Sequence, residues 1–304
     1  MQRRAALLLG LGGSWLTARA DPRHDAEPTM LWQVRDMPPL FNYRDGKPPA
    51  RIADLGHGPV DGFMGQLLRQ LPQYRHAFIE VTAARAEAMA REGRTLCSLL
   101  HLHTPERRAE RYFTPAYPVL RPLQAHLVVH RSQLARFVEL GQPLSLAAVL
   151  QRADFSGMVS AGRSFGPGVD RVIREHPDAV GLKTVVTIRH SSVLTMLRAR
   201  RMDYAIEFRA QIDEYLRSVN TPGELVGLPI LEAPPIAVSY ASCTRNEEGR
   251  RQIEAIDQAV RRMAQPAARA VWLPAWRGTP FEAADLARLR RFYDARALGG
   301  PEIE

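Results

Sequence analysis

The chain has 304 residues, 24% of them charged, with a formal net charge of +9. That length suits one large or two medium domains. Beyond the N-terminus every long apolar stretch is broken by charges, which excludes membrane-spanning helices, and no basic run is interleaved with aromatics, which argues against a nucleic-acid groove.

The first twenty residues have the layout of an export signal. Arg3 and Arg4 form a basic start, Ala5 to Leu11 is apolar but too short to span a bilayer, and Ala18-Arg19-Ala20 presents small residues to a signal peptidase. Cleavage is expected after Ala20, and the arginine pair leaves the general and twin-arginine routes both open. Loss of Arg3, Arg4 and Arg19 lowers the net charge from +9 to +6, a surplus that favours an anionic ligand.

Short apolar runs then alternate with amphipathic segments. Met30 to Val34 reads as a strand followed by a proline-rich loop, and Phe63, Met64, Leu67, Leu68 and Leu71 share one helical face. His76 to Thr82 reads as a strand, residues 84–92 as a helix ending near Gly93, and Thr95 to Leu100 as a strand. This order implies parallel pairing through crossover helices, hence an α/β architecture. It recurs further on. An extended crossing is expected at His126 to His130, helices at Leu146 to Leu150, Val169 to Arg174 and Ser191 to Arg200, and strands at Met158 to Ala161, Lys183 to Ile188 and Tyr204 to Phe208. Ile236 to Ala241 is β-prone, and the chain reads as helical from Glu247 almost to its end.

Two α/β units result, the first completed by the C-terminal helices. Ligands gather at the carboxyl ends of strands in such sheets, so two facing units create a cleft that hinge motion can close. The two cysteines, Cys97 and Cys243, either form one disulfide in an oxidising compartment or remain buried thiols. His101 and His103 alternate on an extended segment, but no further ligands accompany them in a metal-binding pattern. Neither a nucleophile elbow nor a phosphate-binding loop is present, and no cofactor is expected.

Five stretches stand in order: W-Q-V-R-D-M-P-P-L-F from Trp32, G-P-V-D-G from Gly58, T-P-E-R-R-A-E-R-Y-F-T-P-A-Y from Thr104, G-R-S-F-G from Gly162, and L-R-A-R-R-M-D-Y-A-I-E from Leu197. Together they resemble the family 3 extracellular solute-binding proteins. The segment Y-A-S-C-T-R-N-E-E-G-R-R, with Cys97 upstream, looks like a branch apart from the amino-acid binders. The resemblance implies a two-lobed type 2 periplasmic binding protein fold, each lobe a mixed, mostly parallel sheet flanked by helices. It divides the chain into a signal peptide at 1–20, a first lobe of 21–127 plus 242–304, and a second lobe of 128–241.

The function implied is periplasmic capture of a small, carboxylate-bearing ligand by a monomer that presents it to a membrane transporter permease or a sensor, with no nucleic acid involved. Arg107 holds the motif position where the family grips a carboxylate, which a guanidinium does with two parallel hydrogen bonds. Arg163, Ser164 and Phe165 lie in the glycine-bounded loop before a helix, where donors suit an anion. Asp36 offers a polar group at a strand end, and Phe41 and Tyr43 offer aromatic faces.

Some positions depart from the pattern. Where amino-acid binders carry an acid for the ligand's ammonium, this chain has Phe208, with Glu207 one residue earlier and therefore on the other face of the strand. Leu100 and Leu102 replace small hydroxyl residues. Two other readings are an enzyme on the same fold, dehydratase-like, using Asp36 and Glu207 as an acid–base pair, and an interaction module with a vestigial cleft.

Overall fold

The computed structural model describes residues 27–187, 189 and 191–304; the export signal expected at 1–20 lies outside them. Two five-stranded sheets organise the chain. The first sheet contains β1 (Thr29–Val34), β2 (Arg75–Glu80), β3 (Cys97–Ser98), β4 (Arg111–Leu123) and β10 (Ile236–Thr244), in the order β2-β1-β3-β10-β4. The second contains β5 (Ala125–His130), β6 (Gly157–Ser160), β7 (Leu182–Val185), β8 (Tyr204–Phe208) and β9 (Leu225–Pro229), in the order β7-β6-β8-β5-β9. In each, three parallel strands are bordered by two that run antiparallel to their neighbours.

The period-two pattern of β1 explains its place. Met30, Trp32 and Val34 are fully buried in the main core, where α1 (Asp61–Leu68) and α9 (Glu247–Ala264) pack. Leu31 faces the opposite layer and meets Ala86 and Met89 of α2 (Ala83–Arg91). Covered on both faces, the sheet needs apolar residues on both. Thr82 caps α2 by accepting from Arg85 N at 3.1 Å, and Asn246 caps α9 by accepting from Gly249 N at 2.7 Å. The helical tail continues as α10 (Pro266–Trp272) and α11 (Ala283–Leu298), which close the first lobe.

Several expectations meet the structure within a residue or two, among them the helix at Leu146–Leu150 and the strand at Tyr204–Phe208. The strand read at Thr95 to Leu100 shrinks to Cys97–Ser98, because Ser98 Oγ accepts from Leu100 N at 3.0 Å and turns the backbone out of the ladder. The thirteen-residue β4 is unanticipated. Its prolines speak against a central strand, yet it is an edge, where they are tolerated, and register shifts against β10 accommodate them. Also new are α3 (Pro105–Glu110), α4 (Leu134–Val138) and α8 (Arg209–Ser218). The remaining second-lobe helices are α5 (Leu146–Leu150), α6 (Pro167–Glu175) and α7 (Ser191–Arg198).

The chain passes from first to second sheet through Gln124 alone, whose Nε2 donates to Ala233 O at 2.8 Å on the returning segment. The outward and return passages thus lie side by side. Cys97 and Cys243 are register partners on β3 and β10 and form a disulfide, Cα atoms 4.1 Å apart and 146 positions apart in sequence. No helix among the described residues is long and apolar enough to cross a membrane.

Candidate ligand-binding cleft

A cavity of about 610 Å³ lies between the sheets and draws its walls from both. That volume falls within the range of small-molecule pockets. The first lobe contributes Gln33 and Arg35 from the end of β1, Leu99 to Leu102 after β3, Arg107 of α3, and Tyr117 of β4; the second contributes Arg163, Ser164, Phe208 and Gln211. The Trp276 segment forms part of the wall. It can approach α1 only because a Cβ on Gly62 would stand 2.2 Å from Trp276 O.

The tightest approach described between the two halves is at Gly162. Gly162 has φ +69°, and a Cβ there would stand 2.7 Å from Ala84 N, so glycine alone lets the second-lobe loop meet the start of α2. Arg107 Nη2 donates to Gly162 O at 3.0 Å and pairs with Glu87 Oε1 at 3.3 Å, fastening the contact. Arg35 Nη2 likewise reaches Thr187 O, at 3.1 Å, on the second lobe. Arg174 of α6 pairs with Glu106 of α3 at 2.8 Å. The lobes are thus in contact at more than one place.

Of the residues singled out from sequence, Arg107, Arg163 and Ser164 line the cavity. Glu207 does not. Its carboxylate turns away to grip Arg163 through two hydrogen bonds, one of them 2.6 Å, and both side chains are almost fully buried. Arg163 lies 5.1 Å from the ring centre of Phe165 and 5.5 Å from that of Phe208. Phe165 is buried in the second-lobe core beneath it, while Phe208 reaches the cavity. The one-residue offset has the effect expected of a strand, sending neighbours to opposite faces.

Asp36, Phe41 and Tyr43 stand outside the cavity lining. Asp36 Oδ1 accepts from Tyr43 N at 3.2 Å and shapes the loop after β1. Phe41 is a core residue, with Tyr43 edge-on to it at 5.9 Å. His101 and His103 part company: His101 lines the cavity, whereas His103 stacks on Tyr240 at 4.6 Å and meets Glu304 at 3.1 Å. Sequence reasoning missed Gln33, Arg35, Tyr117 and Gln211. The signal for Arg35 was present, since it precedes Asp36 at the same strand end.

Burial governs the ionisation of these groups. It pushes the His101 imidazole well below the usual histidine range, with Arg111 and Arg107 acting in the same sense, so the ring is neutral. Arg35 is lowered to about 10, chiefly by burial and then by Arg163. Arg163 is lowered by burial against the opposing pull of Glu207.

No family model matches the chain, and no curated protein matches it. Solved structures do. An ancestral arginine-binding protein bound to arginine superposes with a TM-score of 0.57 over 84% of this chain and 100% of its own, at 14% identity. The substrate-binding protein of an amino acid ABC transporter gives 0.54 over 82% and 98%, at 13% identity. The L-arginine-bound AbpA of Streptococcus pneumoniae gives 0.53 over 82% and 94%, at 14% identity. The fold is that of the two-lobed periplasmic binding proteins. At such identities the likeness speaks for architecture, and function is left to the site itself.

Proposed function

We propose that the chain is an exported solute-binding protein of the family 3 kind. It captures a small carboxylate-bearing solute between its lobes and presents it to a membrane transporter or sensor. The sequence-based division into residues 21–127 with 242–304 and residues 128–241 shifts by a few residues against the sheets, since the second sheet begins with β5 at Ala125 and the chain is back in the first sheet with β10 at Ile236. The observation that carries the reading is the cavity between the lobes, bridged on its wall by Arg107. Arg107 engages both halves through Nη2 alone; its Nε and Nη1 bear no hydrogen bond among the described residues, leaving donors for a carboxylate. A solute touching both walls favours the closed arrangement, which a membrane partner then recognises.

An acid–base enzyme finds less support. Glu207 is committed to Arg163 and Asp36 to a backbone amide, so neither presents a carboxylate to the cavity.

The test is thermal unfolding of the mature protein against a panel of organic and amino acids. A solute at a hundredfold excess over its Kd is expected to add about 2.7 kcal/mol of stability. Arg107→Ala is expected to abolish that gain and leave the unliganded melting temperature close to wild type, since Arg111 still faces Glu87 at 3.6 Å. Retention of the gain in the variant would remove Arg107 from the site.

A further inference from the structure

The described cavity wall contains no aspartate or glutamate. The acids closest to its arginines serve protein cations: Glu207 holds Arg163, and Glu87 holds Arg107 and Arg111. An ammonium group entering the cavity would shed its water with no carboxylate on the wall to receive it, which is strongly unfavourable. Most of the wall is apolar, including Leu99, Leu100, Leu102, Leu120 and Phe208, so the body of the ligand is apolar too.

Among the polar side chains of that wall, Gln33, His101 and Gln211 are each more than nine-tenths buried. Gln33 Oε1, both amide atoms of Gln211, and His101 Nε2 have no hydrogen-bond partner among the described residues. Buried polar atoms left in this condition are costly unless a ligand satisfies them. His101 Nδ1 lies 2.9 Å from Ser242 Oγ, and Ser242 Oγ directs its own proton to Ser98 O at 3.4 Å. Nδ1 is thus engaged, and Nε2 is the ring nitrogen left for a ligand on a neutral imidazole. Gln33 Oε1 is an acceptor and Gln211 offers both an acceptor and a donor, so the set suits a neutral group that donates a hydrogen bond and can also accept one, as a hydroxyl does.

We propose that the cleft takes an apolar monocarboxylate that lacks an ammonium group and carries a neutral hydrogen-bond donor such as a hydroxyl. This rests on the solute-binding reading above and specifies its ligand class. Arg107 receives the carboxylate, the leucines and Phe208 enclose the body, and Gln33, Gln211 and His101 receive the donor.

Calorimetric titration of the mature protein, stripped of bound solute by unfolding and refolding with the disulfide intact, tests the proposal with matched compounds. Hydroxyphenylpropanoate, tyrosine and tyramine share one body and differ in their charged groups; phenylpropanoate and phenylalanine lack the hydroxyl. The acid is expected to bind at least about tenfold more tightly than its amino acid, a difference of about 1.4 kcal/mol, and the amine not at all. Gln211→Met is expected to weaken hydroxyphenylpropanoate and spare phenylpropanoate. Equal or tighter binding of the amino acids overturns the class while upholding solute capture. A Gln211→Met variant that weakens both acids alike overturns the assignment of the donor. Failure of every compound to bind also overturns the class, and solute capture then stands or falls on the wider panel.

Discussion

Asp257→Ala is expected to lower the unfolding free energy by about 3 kcal/mol, the low end of the usual cost of breaking a buried ion pair, because Arg296 keeps Glu302 at 3.2 Å. Asp257 on α9 and Arg296 on α11 are joined at 2.7 Å, with side-chain exposures of 1% and 2%. The same carboxylate oxygen accepts from Thr114 Oγ1 at 2.7 Å and Glu302 N at 3.2 Å, so one atom ties two helices, β4 and the C-terminal residues together. Equilibrium unfolding in urea, followed by circular dichroism, measures the loss. Asp257→Leu combined with Arg296→Met should recover most of it, because an apolar pair of similar volume avoids the desolvation of both charges. A loss under 1 kcal/mol for the single variant would show that the network contributes little.

Glu207→Gln is the counterpart in the second lobe, and a loss of about 3 kcal/mol is expected. Arg163 is held beside Phe165, Phe208 and Glu207 with 8% of its side chain exposed, so removing the charge of Glu207 takes away a carboxylate that balances a nearly buried cation. The effect should concentrate in the second sheet, where amide exchange in β8 and its neighbour β5 is expected to quicken before that of β1 or β10. Arg163→Met with Glu207→Leu should restore stability. The pair of variants also separates two roles for Glu207. Unchanged stability with abolished solute binding would move it from scaffold to site.

Legibility from sequence followed the range of the interaction. Alternation at Met30, Trp32 and Val34, and the short apolar runs at Leu146–Leu150 and Tyr204–Phe208, are local patterns, and the elements form where those patterns lie. The thirteen-residue β4 escaped because its edge position, which makes its prolines harmless, is a property of the sheet. The candidate site divided in the same way. Arg107 and the Gly162 loop were marked by local motifs. The clasp between Arg163 and Glu207 spans 44 residues, and the placement of Gln33 and Gln211 on one shared cavity depends on how two lobes face each other. Asp36 and Phe41 were well placed in sequence, but one is consumed by the loop's own backbone and the other by the core.

The disulfide has a practical effect on how damage to the chain shows itself. Every strand of the second sheet lies between Cys97 and Cys243 in sequence, so the covalent bond encircles that lobe. A protease cutting once anywhere within this ring produces two polypeptides that remain a single molecule. Nicked protein therefore keeps its full mass until a reductant separates the pieces, and a denaturing gel run without reductant understates cleavage.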